Sequence, residues 1–161
     1  MSKYAEVRFL IKTGDILVWT HRKLKSLYDL KIMIIRFFQM SEYCHVGVAV
    51  VLGGRVWVLE ACSPQVRLVP LSNSLPCYHI TSHQLSEDQL EAGLCLVGKK
   101  DVMYSTMEAI RAYLNKNDPN DKNIQCAELV NHVCELECQA TPSAIVQHSL
   151  NKGSTLQELV E

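Results

Sequence analysis

His45-Val46-Gly47-Val48-Ala49-Val50-Val51, broken at Gly53-Gly54 and resumed as Arg55-Val56-Trp57-Val58-Leu59-Glu60-Ala61, predicts an antiparallel β-hairpin. Both arms are rich in β-branched residues, and a Gly-Gly pair supplies the positive φ angles that a tight hairpin turn requires. Two polar residues stand at the far ends of these arms. His45 opens the first and Glu60 all but closes the second. Folding at Gly53-Gly54 brings them together, because each lies a similar number of steps from the turn.

The flanking segments extend this hairpin into a sheet. Asp15 to Trp19 (D-I-L-V-W), behind Gly14, predicts a short buried strand. Val66 to Leu71 and Tyr78 to Thr81 predict two more, separated by Pro70 and Pro76. Between the first strand and the hairpin, Leu24 to Met40 predicts a helix with Leu24, Leu27, Tyr28, Ile35 and Phe38 among its apolar positions.

The second half changes period. Ser86-Glu87-Asp88-Gln89 reads as a helix start, with a Ser cap answered by Gln three residues on. Helical spacing runs to about Val97 and resumes from about Tyr104 to Leu114, before a polar loop over Asn115 to Asn123. Ala127 to about Cys138 predicts a helix, and Thr141-Pro142 marks the next, with a capping Thr and Pro at the first helical position. Strands first and helices afterwards make an α+β fold, an antiparallel sheet packed with helices.

The 161 residues fit a single domain, 1–161, with enough chain for one core. Hydrophobic residues at 48% and charged residues at 20% are ordinary globular values. Sixteen Lys and Arg against 17 Asp and Glu leave no field to attract nucleic acid, which is excluded as an expected partner. Seven cysteines show no regular disulfide spacing, and Met1 to Glu6 lacks the apolar run of a signal peptide. Reduced thiols in a cytoplasmic setting are the expectation. No apolar run reaches the ~20 residues of a membrane span.

Chemistry converges on three residues. Cys126 follows a polar loop and opens C-A-E-L-V-N-H-V-C. There, unpaired helix N–H groups and the positive end of the dipole favour a thiolate and can receive an oxyanion. His45 at a strand edge can present a ring nitrogen to such a thiol, and Glu60 beside it can hold the imidazole in one tautomer. The bland alternatives are a packed Cys126 and a hydrogen-bonded surface His45.

Cys44, His45, His132, Cys134 and Cys138 make a zinc alternative, but there is no C-x-x-C pair and nothing completes the Cys134/Cys138 face. No cofactor and no metal are expected. Cys62, Cys77 and Cys95 sit in apolar contexts that predict core positions. Cys44 adjoins His45 and, by strand alternation, should face away from the imidazole.

Taken in order, these motifs resemble the YiiX-type permuted papain-like hydrolases of the NlpC superfamily. The resemblance is carried by Gly14-Asp15, by Tyr43-Cys44-His45-Val46-Gly47-Val48, by Leu59-Glu60-Ala61, by Cys126-Ala127-Glu128-Leu129-Val130 and by Thr141-Pro142. It spans about Gly14 to Leu150 and implies a circularly permuted papain-like fold in which the histidine precedes the cysteine. Cys126 is then the nucleophile, His45 the general base and Glu60 the orienting residue. Two positions depart from the pattern. Cys44 stands where the family usually has Ser, and Tyr104 is followed by Ser105 rather than Asp. Tyr104 is carried over as a residue lining the site or donating to an oxyanion.

The implied activity is an amidase or peptidase acting through an acyl-enzyme, on a peptide, amide or acyl-lipid substrate. A lipid-directed thioesterase or acyltransferase is the alternative, motivated by the apolar, basic helix at Leu24–Met40, which also leaves peripheral membrane contact open. A binding protein with a dead site is the third reading. Such proteins also occur in viruses and phages, in which case the setting is the host cytoplasm.

Overall fold

The computed structural model describes residues 2–20, 42–62, 64–81, 85–99 and 125–161. In chain order its elements are β1 (Ser2–Lys3), α1 (Tyr4–Val7), β2 (Ile16–Thr20), β3 (Tyr43–Leu52), β4 (Arg55–Cys62), β5 (Gln65–Pro70), β6 (Cys77–Ile80), α2 (Glu87–Leu94), α3 (Cys126–Cys134), α4 (Pro142–Asn151) and β7 (Leu156–Val160). The helices expected over Leu24–Met40 and Tyr104–Leu114, the polar loop expected over 115–123 and the expected site residue Tyr104 lie outside the described residues.

β3 and β4 form the expected hairpin, with Leu52 paired to Arg55 across Gly53 (φ 57°) and Gly54 (φ 72°). Both turn residues lie in the left-handed region that a side chain disfavours and glycine does not. The sheet has the order β1-β7-β6-β2-β3-β4-β5. From β7 to β5 every neighbouring pair is antiparallel, and β1 adds to β7 in parallel. The fold is α+β.

Strict alternation along the central strands divides the buried residues between two faces. Val46, Val48, Val50, Ile16, Val18, Leu59 and Ala61 join Leu129, Val130 and Val133 of α3 and Ile145 and Val146 of α4 in one core. Leu17, Trp19, Ala49, Val56 and Val58 join Ile11, Leu71, Leu75, Cys77 and Leu159 in the other. Fully burying a side chain such as Leu59 or Leu129 stabilises by about 1.5–3 kcal/mol, so the C-A-E-L-V helix is fastened to the hairpin by its own apolar stripe. That packing positions the N-terminus of α3.

Local signals set the helix ends. Ser86 Oγ accepts the Gln89 N–H and Gln89 Oε1 accepts the Ser86 N–H, the reciprocal cap expected for α2. Thr141 Oγ1 caps α4 through the Ala144 N–H, with Pro142 at the first position. α3 stops at Cys134 rather than near Cys138. Glu135 turns left-handed (φ 49°), and the Asn131 side-chain amide reaches out to the Cys138 carbonyl, tying down the exit as a loop.

Three departures stand out. β7 and the N-terminal β1–α1 segment answer to no strand or helix expected from the sequence. α2 is shorter than the expected run to Val97, because the chain turns at Cys95–Gly98. Of the three cysteines expected in the core, Cys77 is buried, Cys62 is half-buried and Cys95 is exposed, since Cys95 caps the C-terminus of α2 instead of continuing its apolar side.

A buried acidic residue opens β2. Asp15 Oδ2 accepts the Lys12 N–H at 2.8 Å and the His79 Nε2–H at 2.7 Å, pinning the start of β2 to β6. Among the described residues, no helix is long and apolar enough to cross a membrane.

Candidate active site

The edge from which β3 starts is irregular. Trp19 pairs with His45, but Thr20 pairs with Tyr43, so Cys44 is an extra residue on β3. Such a bulge bends the strand and re-aims the next side chain. The Cys44 thiol donates to the Trp19 carbonyl oxygen at 3.3 Å. Trp19, whose indole N–H donates to the Ser74 carbonyl, places its ring 5.3 Å from that of His45 at 46°. The imidazole therefore rests against an anchored aromatic surface.

On β4, Glu60 is buried, with its side chain 4% exposed. The register that pairs Val48 with Leu59 sets Gly47 opposite Glu60 and displaces His45 by two residues. His45 Nε2 nevertheless donates to Glu60 Oε2 at 2.6 Å. Gly47, opposite Glu60, leaves no room for a side chain: a Cβ there would stand 2.8 Å from Val58 Cγ1, 3.0 Å from the Leu59 carbonyl and 3.4 Å from Glu60 Cβ. The other carboxylate oxygen, Oε1, accepts from Arg67 Nε–H at 2.7 Å, with Nη2 also 2.7 Å away. Arg67 is the direct cross-strand partner of Glu60 on β5.

Cys126 is the first residue of α3 and is buried, and its side chain is hydrogen-bonded to His45. With Nε2 committed to Glu60, Nδ1 is the ring nitrogen left for the sulfur. Glu128, one turn along, accepts the Gln125 N–H at 2.8 Å and fixes the entry into the helix.

These contacts define the charge state. Burial alone would lower the His45 pKa, but the Cys126 thiolate, by charge and by hydrogen bond, and then Glu60 override it and raise it to about 10. Burial likewise pushes the Glu60 carboxyl up, yet the hydrogen bonds and charges of His45 and Arg67 hold it below the ordinary value. His45 thus stands between the Cys126 side chain and the Glu60 carboxylate. The arrangement can store a nucleophilic sulfur and deliver a proton.

The same set fits no metal. Glu60 has one oxygen on His45 and the other on a guanidinium, which repels a cation, and His45 Nε2 is occupied. Cys138 Sγ donates to Asn131 Oδ1. Among the described residues no group of three His, Cys, Asp or Glu side chains is placed to hold a metal ion.

Thus Cys126, His45 and Glu60, singled out from the sequence, come together, whereas Cys44 is directed at a backbone carbonyl. Three contributors were not singled out as site residues. Arg67 is a charged residue inside V-R-L-V, and counting back from the β4–β5 turn would have set it against Glu60. Gly47 carries a signal only as an interruption of a valine run. Trp19 has none, since an aromatic residue ending a strand is usually core.

No protein-family model matches the chain, and no curated protein does. Among solved structures, the chain is similar to the crystal structure of the metalloprotein YiiX from Escherichia coli O157:H7, DUF1105. The TM-score is 0.53 at 22% identity, over 76% of this chain and 64% of that one. The likeness is one of fold, and this chain spans less than two-thirds of the length of that protein.

Proposed function

We propose that the protein is a cysteine hydrolase that cleaves an amide or peptide bond through an acyl-enzyme. The observation that carries this reading is the bridging position of His45, bonded to Cys126 on one side and Glu60 on the other. The YiiX-like fold and the order of motifs along the chain agree with a permuted papain-like hydrolase.

Each residue has a step to perform. The Cys126 thiolate attacks the substrate carbonyl carbon, and the charge moving onto oxygen is received by N–H groups of the first turn of α3. His45 gives its proton to the departing amine as the C–N bond breaks, leaving a thioester on Cys126. The neutral imidazole then takes a proton from water, the hydroxide adds to the thioester, and the C–S bond breaks to return the thiolate and release the acid. Glu60 stays ionised throughout and holds the ring in place.

A panel of acyl- and peptidyl-bearing thiol-reactive probes, with mapping of the modified residue, tests this directly. Labelling of Cys126 by peptidyl probes is expected. Labelling restricted to long-chain acyl probes would transfer the assignment to a thioesterase or acyltransferase, and absence of labelling at Cys126 would reject a cysteine hydrolase.

A further inference from the structure

We propose that Arg67 is a positioning residue of this site, its guanidinium fixing the Glu60 carboxylate in the orientation that receives the His45 ring. The inference rests on the hydrolase reading and names a residue that neither the motifs nor the fold comparison assigns.

The geometry is specific. A buried carboxylate whose only partner is His45 can turn about its last bond and exchange oxygens. Here Oε2 faces His45 and Oε1 is held by two N–H groups of one planar fork, which fixes the plane of the carboxylate as well as its position. The row His45, Glu60, Arg67 crosses β3, β4 and β5, so the third member stands on the rigid sheet rather than on a loop.

The Arg67 side chain is 45% exposed, and an ion pair at such a position adds little to stability. Its effect falls instead on Glu60, which is buried and meets His45 on its other oxygen. Among the described residues, the charged groups acting on Glu60 are His45 from β3 and Arg67 from β5, with Cys126 of α3 beyond the imidazole. Removing Arg67 takes away one of the two influences that oppose burial. Glu60 then takes up a proton at a higher pH, His45 loses its anionic partner, and Cys126 loses the imidazolium that supports its thiolate.

The test is the pH dependence of iodoacetamide alkylation at Cys126, read by peptide mapping in the wild type, Arg67→Ala, Arg67→Lys and the exposed control Arg55→Ala. Wild-type Cys126 labelled at pH ~6, where an ordinary thiol is protonated, is the outcome the hydrolase reading requires. Its absence counts against that reading whatever Arg67 does.

Given that outcome, Arg67→Ala should label about tenfold more slowly at pH ~6 yet close to wild type at pH ~9. Arg67→Lys, which keeps the charge without the planar fork, should fall between them, and Arg55→Ala should match wild type. An Arg67→Ala profile superimposable on wild type overturns the inference, as does a loss equal at every pH. If Arg67→Ala does not fold, Arg67→Lys decides: a profile identical to wild type overturns the orienting role.

Discussion

His45 and Glu60 are joined at 2.6 Å although the β3–β4 register does not set them opposite each other. The contact is diagonal, across the place where Gly47 has no side chain. A diagonal pair lies within reach of aromatic and long side chains, and His45 and Glu60 supply one of each. A Cβ at position 47 would meet Val58 Cγ1, the Leu59 carbonyl and Glu60 Cβ.

Gly47→Ala is expected to harm stability and, by pushing on β4 beside Glu60, the site with it. The added methyl meets Val58 Cγ1 at 2.8 Å and a backbone oxygen at 3.0 Å, neither of which is the far end of a flexible side chain. Overpacking of this kind costs about 1–3 kcal/mol. Urea denaturation should show a lowered midpoint, and Cys126 should alkylate more slowly at low pH. An unchanged midpoint would mean that β3 and β4 separate more easily than their packing indicates.

Glu60→Gln separates shape from charge. The amide fills nearly the same volume and can still receive the His45 N–H, but it offers Arg67 no anion and His45 no counter-charge. Low-pH alkylation of Cys126 should fall by about an order of magnitude, less than for His45→Ala, because Glu60 acts on the sulfur only through the ring. A larger loss for Glu60→Gln than for His45→Ala would place the carboxylate, not the imidazole, next to the nucleophile.

The hairpin was legible because its signals are local: β-branched arms, a Gly-Gly turn and polar residues at matched distances from it. The caps at Ser86 and Thr141 were legible for the same reason. β7 was not, because Leu156-Gln157-Glu158-Leu159-Val160 is short and earns its place by pairing with β6, far away in sequence. Cys95 was misplaced since an apolar neighbourhood in sequence does not say which side of a helix end faces solvent. In the site, Cys126, His45 and Glu60 announce themselves by chemistry. Arg67 and Gly47 act through register, which appears only once β3, β4 and β5 are laid side by side.

The titration of His45 should be displaced upward. Its pKa is raised from an ordinary 6.5 to about 10, so the ring keeps its proton through neutrality and loses it only as the pH climbs through that value. In an NMR titration its ring carbon protons should stay constant between pH ~6 and ~9, where a free histidine has already titrated. Cys126→Ser removes the largest of the influences that raise it and should bring the midpoint down. A His45 midpoint near the ordinary value in the wild type would show that the thiolate–imidazolium pair does not form.

The seven thiols offer the sharpest discrimination, because their surroundings differ so widely. Burial pushes Cys77 and Cys134 up to about 12, and both should stay unlabelled in the folded protein at neutral pH. Cys95 is exposed and open to the reagent. Cys126 alone combines a helix N-terminus with a cationic ring, so it should dominate labelling at pH ~6 despite its burial. Cys44 is the rival by sequence, yet its thiol is engaged with the Trp19 carbonyl on the bulge. Cys126→Ser should abolish the low-pH signal, Cys44→Ser should leave most of it, and His45→Ala should shift it to higher pH by removing the ion-pair partner. Low-pH label that maps to Cys44 and survives Cys126→Ser would move the proposed nucleophile from α3 to the bulge.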